Sequence, residues 1–113
     1  MKKKVFINLI VIFLIIGNVA CKKIDVPKDT PSCIKKEIRK HEDCIKQVVK
    51  YEYQGKIVYL FEPVADPSCS YAIYDEDCDY LCSPSGGITG TGDGKCPDFY
   101  QTAKKIEVIW VKN

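Results

Sequence analysis

The sequence predicts an α+β fold: one N-terminal amphipathic helix packed on an antiparallel sheet of four to five strands, stapled by disulfides. Three observations carry that expectation. Apolar residues after Pro31 recur at alternating spacings of four and three, the period of a helix with one buried side. From Val49 onward the period falls to two, as in strands with one side in the core. Beyond residue 30 stand six cysteines (Cys33, Cys44, Cys69, Cys78, Cys82 and Cys96), an even number in a short stretch.

The helix comes first. Asp29 or Thr30 can cap it, and Pro31 suits its first turn. Ile34, Ile38, His41, Ile45 and Val48 then form the stripe, within an arc of roughly 80°. His41, the only histidine, lies on that stripe and reads as a packed core residue. Cys33 and Cys44 flank the stripe, ~16 Å apart along such a helix, too far to bond to each other. Each must pair elsewhere.

Val49-Lys50-Tyr51-Glu52-Tyr53 alternates, Gln54-Gly55-Lys56 turns, and Ile57 to Phe61 returns as a second strand. Pro63 to Pro67 interrupts. Tyr71 to Tyr74, the acidic turn Asp75-Glu76-Asp77, and Asp79-Tyr80-Leu81 suggest another hairpin. Lys105 to Val111 is the last strand, with Trp110 covering one edge of the core. A helix laid on these strands is the simplest layered solution.

Between Cys82 and Phe99 lies the most distinctive stretch, with five glycines from Gly86 to Gly94. A phosphate-binding loop is excluded. Counting back from Gly94-Lys95, Thr89 stands where its first glycine belongs, and Cys96 replaces its hydroxyl residue. Calcium would have only Asp93 and Asp98 as carboxylate ligands, at no recognised spacing. A compact Ω-type loop closed by Cys82–Cys96 is the expectation, because a segment without regular structure gains from closure. Gly86, Gly87, Thr89, Gly90, Gly92, Asp93 and Gly94 form its candidate binding face. The other pairings stay open, since six cysteines allow fifteen.

Lys2, Lys3 and Lys4, an apolar run from Val5 to Ile16 and Ala20 before Cys21 describe an export signal over residues 1–20. Cys21 resembles the lipid-acceptor cysteine of bacterial lipoproteins, although Asn18 stands where those signals usually have leucine. The run falls short of the ~20 residues that span a bilayer. Residues 21–30 read as a lipidated tether and 31–113 as the domain. Lipidation of Cys21 also leaves the remaining cysteines even, as a disulfide framework in an oxidising compartment requires. The absence of Asp after Cys21 implies, by the same resemblance, the outer membrane of a Gram-negative envelope.

The leader holds three of the 17 basic residues and none of the 15 acidic ones, so the mature chain is nearly neutral. It lacks the basic footprint that nucleic acid demands.

Cys82-x-Pro-x-Gly-Gly-x-Thr-Gly-x-Gly-Asp-Gly-x-Cys-Pro-Asp-Phe99 resembles the hallmark of a family of small bacterial lipoproteins of unknown function. Tyr51-x-Tyr-x-Gly-Lys-x-Val-Tyr59 and Tyr74-Asp75-x-x-Cys78-x-x-x-Cys82 are similar to other segments of it. That family implies architecture and location, and adds no catalytic residue. Adjacent cysteines near position 69 belong to its pattern; here Ser68-Cys69 stands there and Cys44 is additional, so no pairing carries over.

No Ser/His/Asp order or Cys-x2-Cys metal pair occurs. The expectation is a non-catalytic, lipid-anchored envelope domain, without metal or cofactor, that binds a protein or a cell-wall ligand. Tyr51, Tyr53, Tyr59, Tyr71, Tyr74 and Tyr80 are its candidate contact residues, tyrosine being large and amphipathic. The other reading is a small inhibitor of an envelope-directed hydrolase, a protease or lysozyme, with loop 83–95 as the inserted element.

Overall fold

The computed structural model describes residues 24–87 and 89–113. The expected signal and lipid-acceptor Cys21 lie outside the described residues, with Lys22 and Lys23. Helix α1 (Ser32–His41) leads into strands β1 (Ile45–Tyr53), β2 (Lys56–Pro63), β3 (Ala72–Asp75) and β4 (Tyr80–Cys82). A short helix α2 (Phe99–Thr102) and strand β5 (Lys104–Val111) complete the chain. The five strands form one antiparallel sheet in the order β4-β3-β2-β1-β5.

That order assigns a task to the glycine-rich segment. β4 and β5 occupy opposite edges, so residues 83–103 must cross the sheet, ~19 Å at four strand spacings. The crossing covers one side of the sheet, and α1 belongs to the other.

Two cores follow. On the α1 side Ile34, Ile38, Ile45, Val48, Tyr59, Phe61 and Ile109 are buried together. On the loop side the buried set is Tyr53, Val58, Leu60, Ile73, Cys82, Cys96 and Phe99. Alternation along β2 feeds both, with Tyr59 and Phe61 facing α1 and Val58 and Leu60 facing the loop. The β1–β2 hairpin turns on Gln54 and Gly55 at φ +54° and +76°, the paired positive values of a two-residue turn matching strand twist.

Helix α1 is shorter than its periodicity predicts. It ends at His41, and Ile45 and Val48 belong to β1. The cause is a bulge: Ile45 pairs with Pro63 and Gln47 with Glu62, so β1 carries one extra residue there. The extra residue brings Ile45 and Val48, three apart, to the same side of the sheet. That spacing imitates a helical stripe. Cys44 consequently lies in the turn after α1, where its carbonyl accepts from the Val64 N–H at 2.8 Å. His41 is not core: its side chain is 40 % exposed and stands 3.2 Å from Glu37.

The N-terminal cap also differs. Pro31 itself stands at the cap without a side-chain bond, and its carbonyl accepts from the Ile34 N–H at 3.0 Å. Thr30 is buried. Segment 24–30 is packed rather than extended: Ile24 and Val26 are partly buried against the α1-side core. Asp29 meets the Lys50 Nζ at 3.3 Å, and the Thr30 N–H donates to the Pro27 carbonyl at 3.1 Å. Contact with the α1-side core therefore begins by Ile24.

Three disulfides tie these parts. Cys33 at the start of α1 pairs with Cys78 in the β3–β4 turn, their Cα atoms 6.1 Å apart. Cys44 pairs with Cys69 before β3, at 5.3 Å, and Cys82 with Cys96, at 6.1 Å. Two bridges hold the α1 side and one closes the loop.

Candidate functional site

The glycine-rich loop is folded on itself. The Asp93 N–H donates to the Ser83 carbonyl at 3.1 Å, and the Gly92 N–H to the Gly86 carbonyl at 3.0 Å. Gly86 and Thr91 form an isolated parallel bridge at its neck. Gly92 is required by space as well as by its φ of +73°: a Cβ there would overlap the Ser83 carbonyl and lie 2.8 Å from the Ser85 nitrogen. Gly87, Thr89 and Gly90 make an exposed tip, turned by a bond from the Gly90 N–H to the Gly87 carbonyl at 3.3 Å.

Asp93 is engaged within the fold. One carboxylate oxygen accepts from the Lys95 N–H at 3.1 Å, the other from the Tyr80 hydroxyl at 2.8 Å. Desolvation raises the Asp93 carboxyl, but these donors outweigh it and the net shift is downward. Tyr80 is pushed up to about 12, by desolvation first and then by its bond to Asp93. Asp98 reaches a different strand, accepting from the Tyr53 hydroxyl at 2.7 Å. Asp93 is thus tied to β4 and Asp98 to β1, and the pair does not converge as a calcium site needs.

Other titratable groups also have structural partners. The Asp75 carboxylate accepts from the N–H groups of Asp77 and Asp79, forming the acidic turn. Asp66 accepts from the Ser68 N–H and hydroxyl, which lower its carboxyl. Among the described residues no three His, Cys, Asp or Glu side chains are grouped to hold a metal ion.

Past Cys96 the chain drops Phe99 into the sheet. Its ring is fully buried, with edge contacts to Tyr51 at 4.9 Å, Tyr53 at 5.2 Å and Tyr100 at 5.3 Å between centroids. The next residue faces outward: Tyr100 is 54 % exposed. Desolvation raises its phenol, Ser85 opposes, and neighbouring Tyr71, Glu62 and Tyr51 raise it further. Glu62 accepts from the Gln47 Nε2 at 2.7 Å across the β1–β2 ladder. Gly86 faces Tyr71: a Cβ added there would meet the Tyr71 ring at 3.5 Å.

Tyr51, Tyr71 and Tyr100 therefore share one surface with Glu62 and Gln47, beside the root of the loop. It sets aromatic rings beside a hydrogen-bonded carboxylate–amide pair. The other tyrosines divide by role. Tyr53 and Tyr59 are core, Tyr59 raised to about 12 chiefly by burial, and Tyr74 stacks edge-on against Phe61. Tyr100, Glu62 and Gln47 were not among the sequence-derived candidates. The available signal was the doublet Phe99-Tyr100 three residues after Cys96, where one ring must turn in and its neighbour out.

Residues 35–112 match the model of a domain family described as a domain of unknown function, DUF6970. The chain belongs to the DUF6970 family. The match takes in all five strands, the glycine-rich loop and five of the six bridging cysteines; Cys33 lies just before it. No curated protein and no solved structure matches the chain. This DUF6970 domain thus joins a loop closed by its own hydrogen bonds to a tyrosine surface with an exposed rim.

Proposed function

We propose that this protein is a non-catalytic binding domain of the cell envelope, anchored by lipid on Cys21 to the outer membrane of a Gram-negative bacterium. Its ligand is a protein or a cell-wall component, taken on the surface of Tyr51, Tyr71 and Tyr100. The observation that carries this reading is Tyr100, a large aromatic held half in solvent by the buried Phe99 beside it. A ring fixed by its neighbour loses little freedom on binding, which favours affinity. The bonds made by Asp93, Asp98 and Asp75 support binding over acid–base work, because each carboxylate is already occupied in holding a turn or strand.

The test is co-sedimentation with purified cell-wall sacculi, alongside capture from detergent-solubilised envelopes. Tyr100→Ala should lose the interaction while the circular-dichroism spectrum stays native. If Tyr100→Ala behaves as wild type in both assays, the surface is not the binding site.

The exposed tip of Gly87, Thr89 and Gly90, held by the Gly86–Thr91 bridge and the Cys82–Cys96 staple, favours the inhibitor reading as second. Replacing the tip should abolish a stoichiometric complex with an envelope hydrolase in that case, and leave the Tyr100 interaction intact otherwise.

A further inference from the structure

We infer that the end of the domain formed by Ile24, Trp110 and Val111 rests on the headgroup layer of the anchoring bilayer. This rests on the reading that Cys21 carries lipid. The argument is one of reach. Ile24 and Val26 pack against the α1-side core, so the chain is in contact with the domain from Ile24 onward. Only Lys22 and Lys23 separate Ile24 from Cys21. Three Cα steps span at most ~11 Å. A lipidated Cys21 therefore holds Ile24 within ~11 Å of the lipid attachment point, at or just outside a headgroup region of roughly 5–8 Å.

Ile24 also selects which side faces the lipid. It lines a broad groove of ≈ 810 Å³ with Arg39, Trp110, Val111 and Lys112. Val111 is 55 % exposed and Trp110 half-buried. Indole and aliphatic side chains beside Arg and Lys match the mixed chemistry of a bilayer surface. Asp25, Glu42 and Asp43 share the groove, so net charge does not set the orientation. Tether length does.

The antiparallel strands then determine what points away. β1 runs from this end to the Gln54-Gly55 turn over nine residues, ~30 Å at strand rise. The acidic turn Asp75–Asp79 shares the far end, since Asp75 pairs with Val58 near the start of β2. The tyrosine surface lies on the side wall between. A partner taken there must come within ~30 Å of the membrane.

Trp110 is the only tryptophan, and it reports the orientation directly. The full chain, exported with its own leader, is purified and the mass at Cys21 measured. It is then placed in phosphatidylethanolamine/phosphatidylglycerol vesicles containing headgroup-nitroxide lipid. Trp110 should lose most of its emission. Inserting about twenty Gly/Ser residues between Lys23 and Ile24, with an r.m.s. reach of roughly 25 Å, should restore it while the protein still sediments with vesicles. In Trp110→Phe/Lys56→Trp, a reporter at the far end should stay bright. The linker comparison leaves every packed residue unchanged, so it stands if that double variant folds poorly. An unmodified Cys21 overturns the anchor and the orientation with it. A lipidated Cys21 with bright Trp110, or equal quenching at both ends, overturns the orientation alone.

Discussion

The two sides of the sheet are covered by different means. On one side α1 presents Ile34 and Ile38, one turn apart and both fully buried, over Val48, Tyr59 and Phe61. On the other a segment with almost no apolar periodicity is held down by Phe99, the Cys82–Cys96 bridge and backbone bonds within the loop. A helix distributes its attachment along a stripe. The loop concentrates it at a few points, each with its own geometric demand.

The largest effect should come at the loop's apolar anchor. Phe99→Ala removes a buried ring with three aromatic neighbours and should cost about 3–5 kcal/mol, against about 2–5 for Ile38→Ala. Urea unfolding measures both, and hydrogen exchange should show loop protection lost in Phe99→Ala and kept in Ile38→Ala. Loss of protection in both would remove the distinction between the sides.

Bridges come next. Replacing both cysteines of Cys82–Cys96 with alanine, at a sequence separation of 14, should cost roughly 3 kcal/mol. Cys33–Cys78, at 45, should cost roughly 4, because the loop it closes is longer. The smaller of the two losses should nevertheless give the greater local exchange in residues 83–95. If both variants exchange uniformly, the loop is not an independently held unit.

Gly92→Ala introduces both a disfavoured φ and an overlap, whereas Gly87→Ala meets a disfavoured φ and open space. Thermal melts should therefore place Gly92→Ala well below Gly87→Ala, and equal melting temperatures would deny the close approach to Ser83.

The smallest effect is the link from Tyr80 to Asp93. Tyr80→Phe should cost about 1 kcal/mol or less at neutral pH, as one half-exposed hydrogen bond. Its pH signature is more telling. The folded phenol titrates at about 12, above the ordinary value of 10.0. The folded state thus keeps this proton longer. Its contribution is complete below pH 10, declines as pH rises toward 12 and is lost above it. Tyr59, also at about 12, adds to the same alkaline decline. Tyr80→Phe should make that decline shallower in denaturant titrations at stepped pH; an unchanged slope would separate Tyr80 from it.

Residue order alone determined those parts of the molecule that depend on local chemistry. Gln54-Gly55 demands a tight turn, and the alternation around it yields the hairpin of β1 and β2. Cys82 and Cys96 enclose a segment with no other means of closure, and the Phe99 to which it leads is apolar and must be buried. Tertiary structure decided the rest. One extra residue near Lys46 put Ile45 and Val48 on the same side, and no local pattern distinguishes that bulge from a further helical turn. The sheet order sent the loop across β3, β2 and β1, and so brought Tyr100 beside Glu62 and Tyr71. Ile24 and Val26 joined the core only because the assembled α1-side cluster offered them an apolar surface, although their own stretch, KKIDVPKDT, has no period. Periodicity reports which way a residue points within its own element. What it touches is set by pairings between residues tens of positions apart, whose energies belong to neither partner alone.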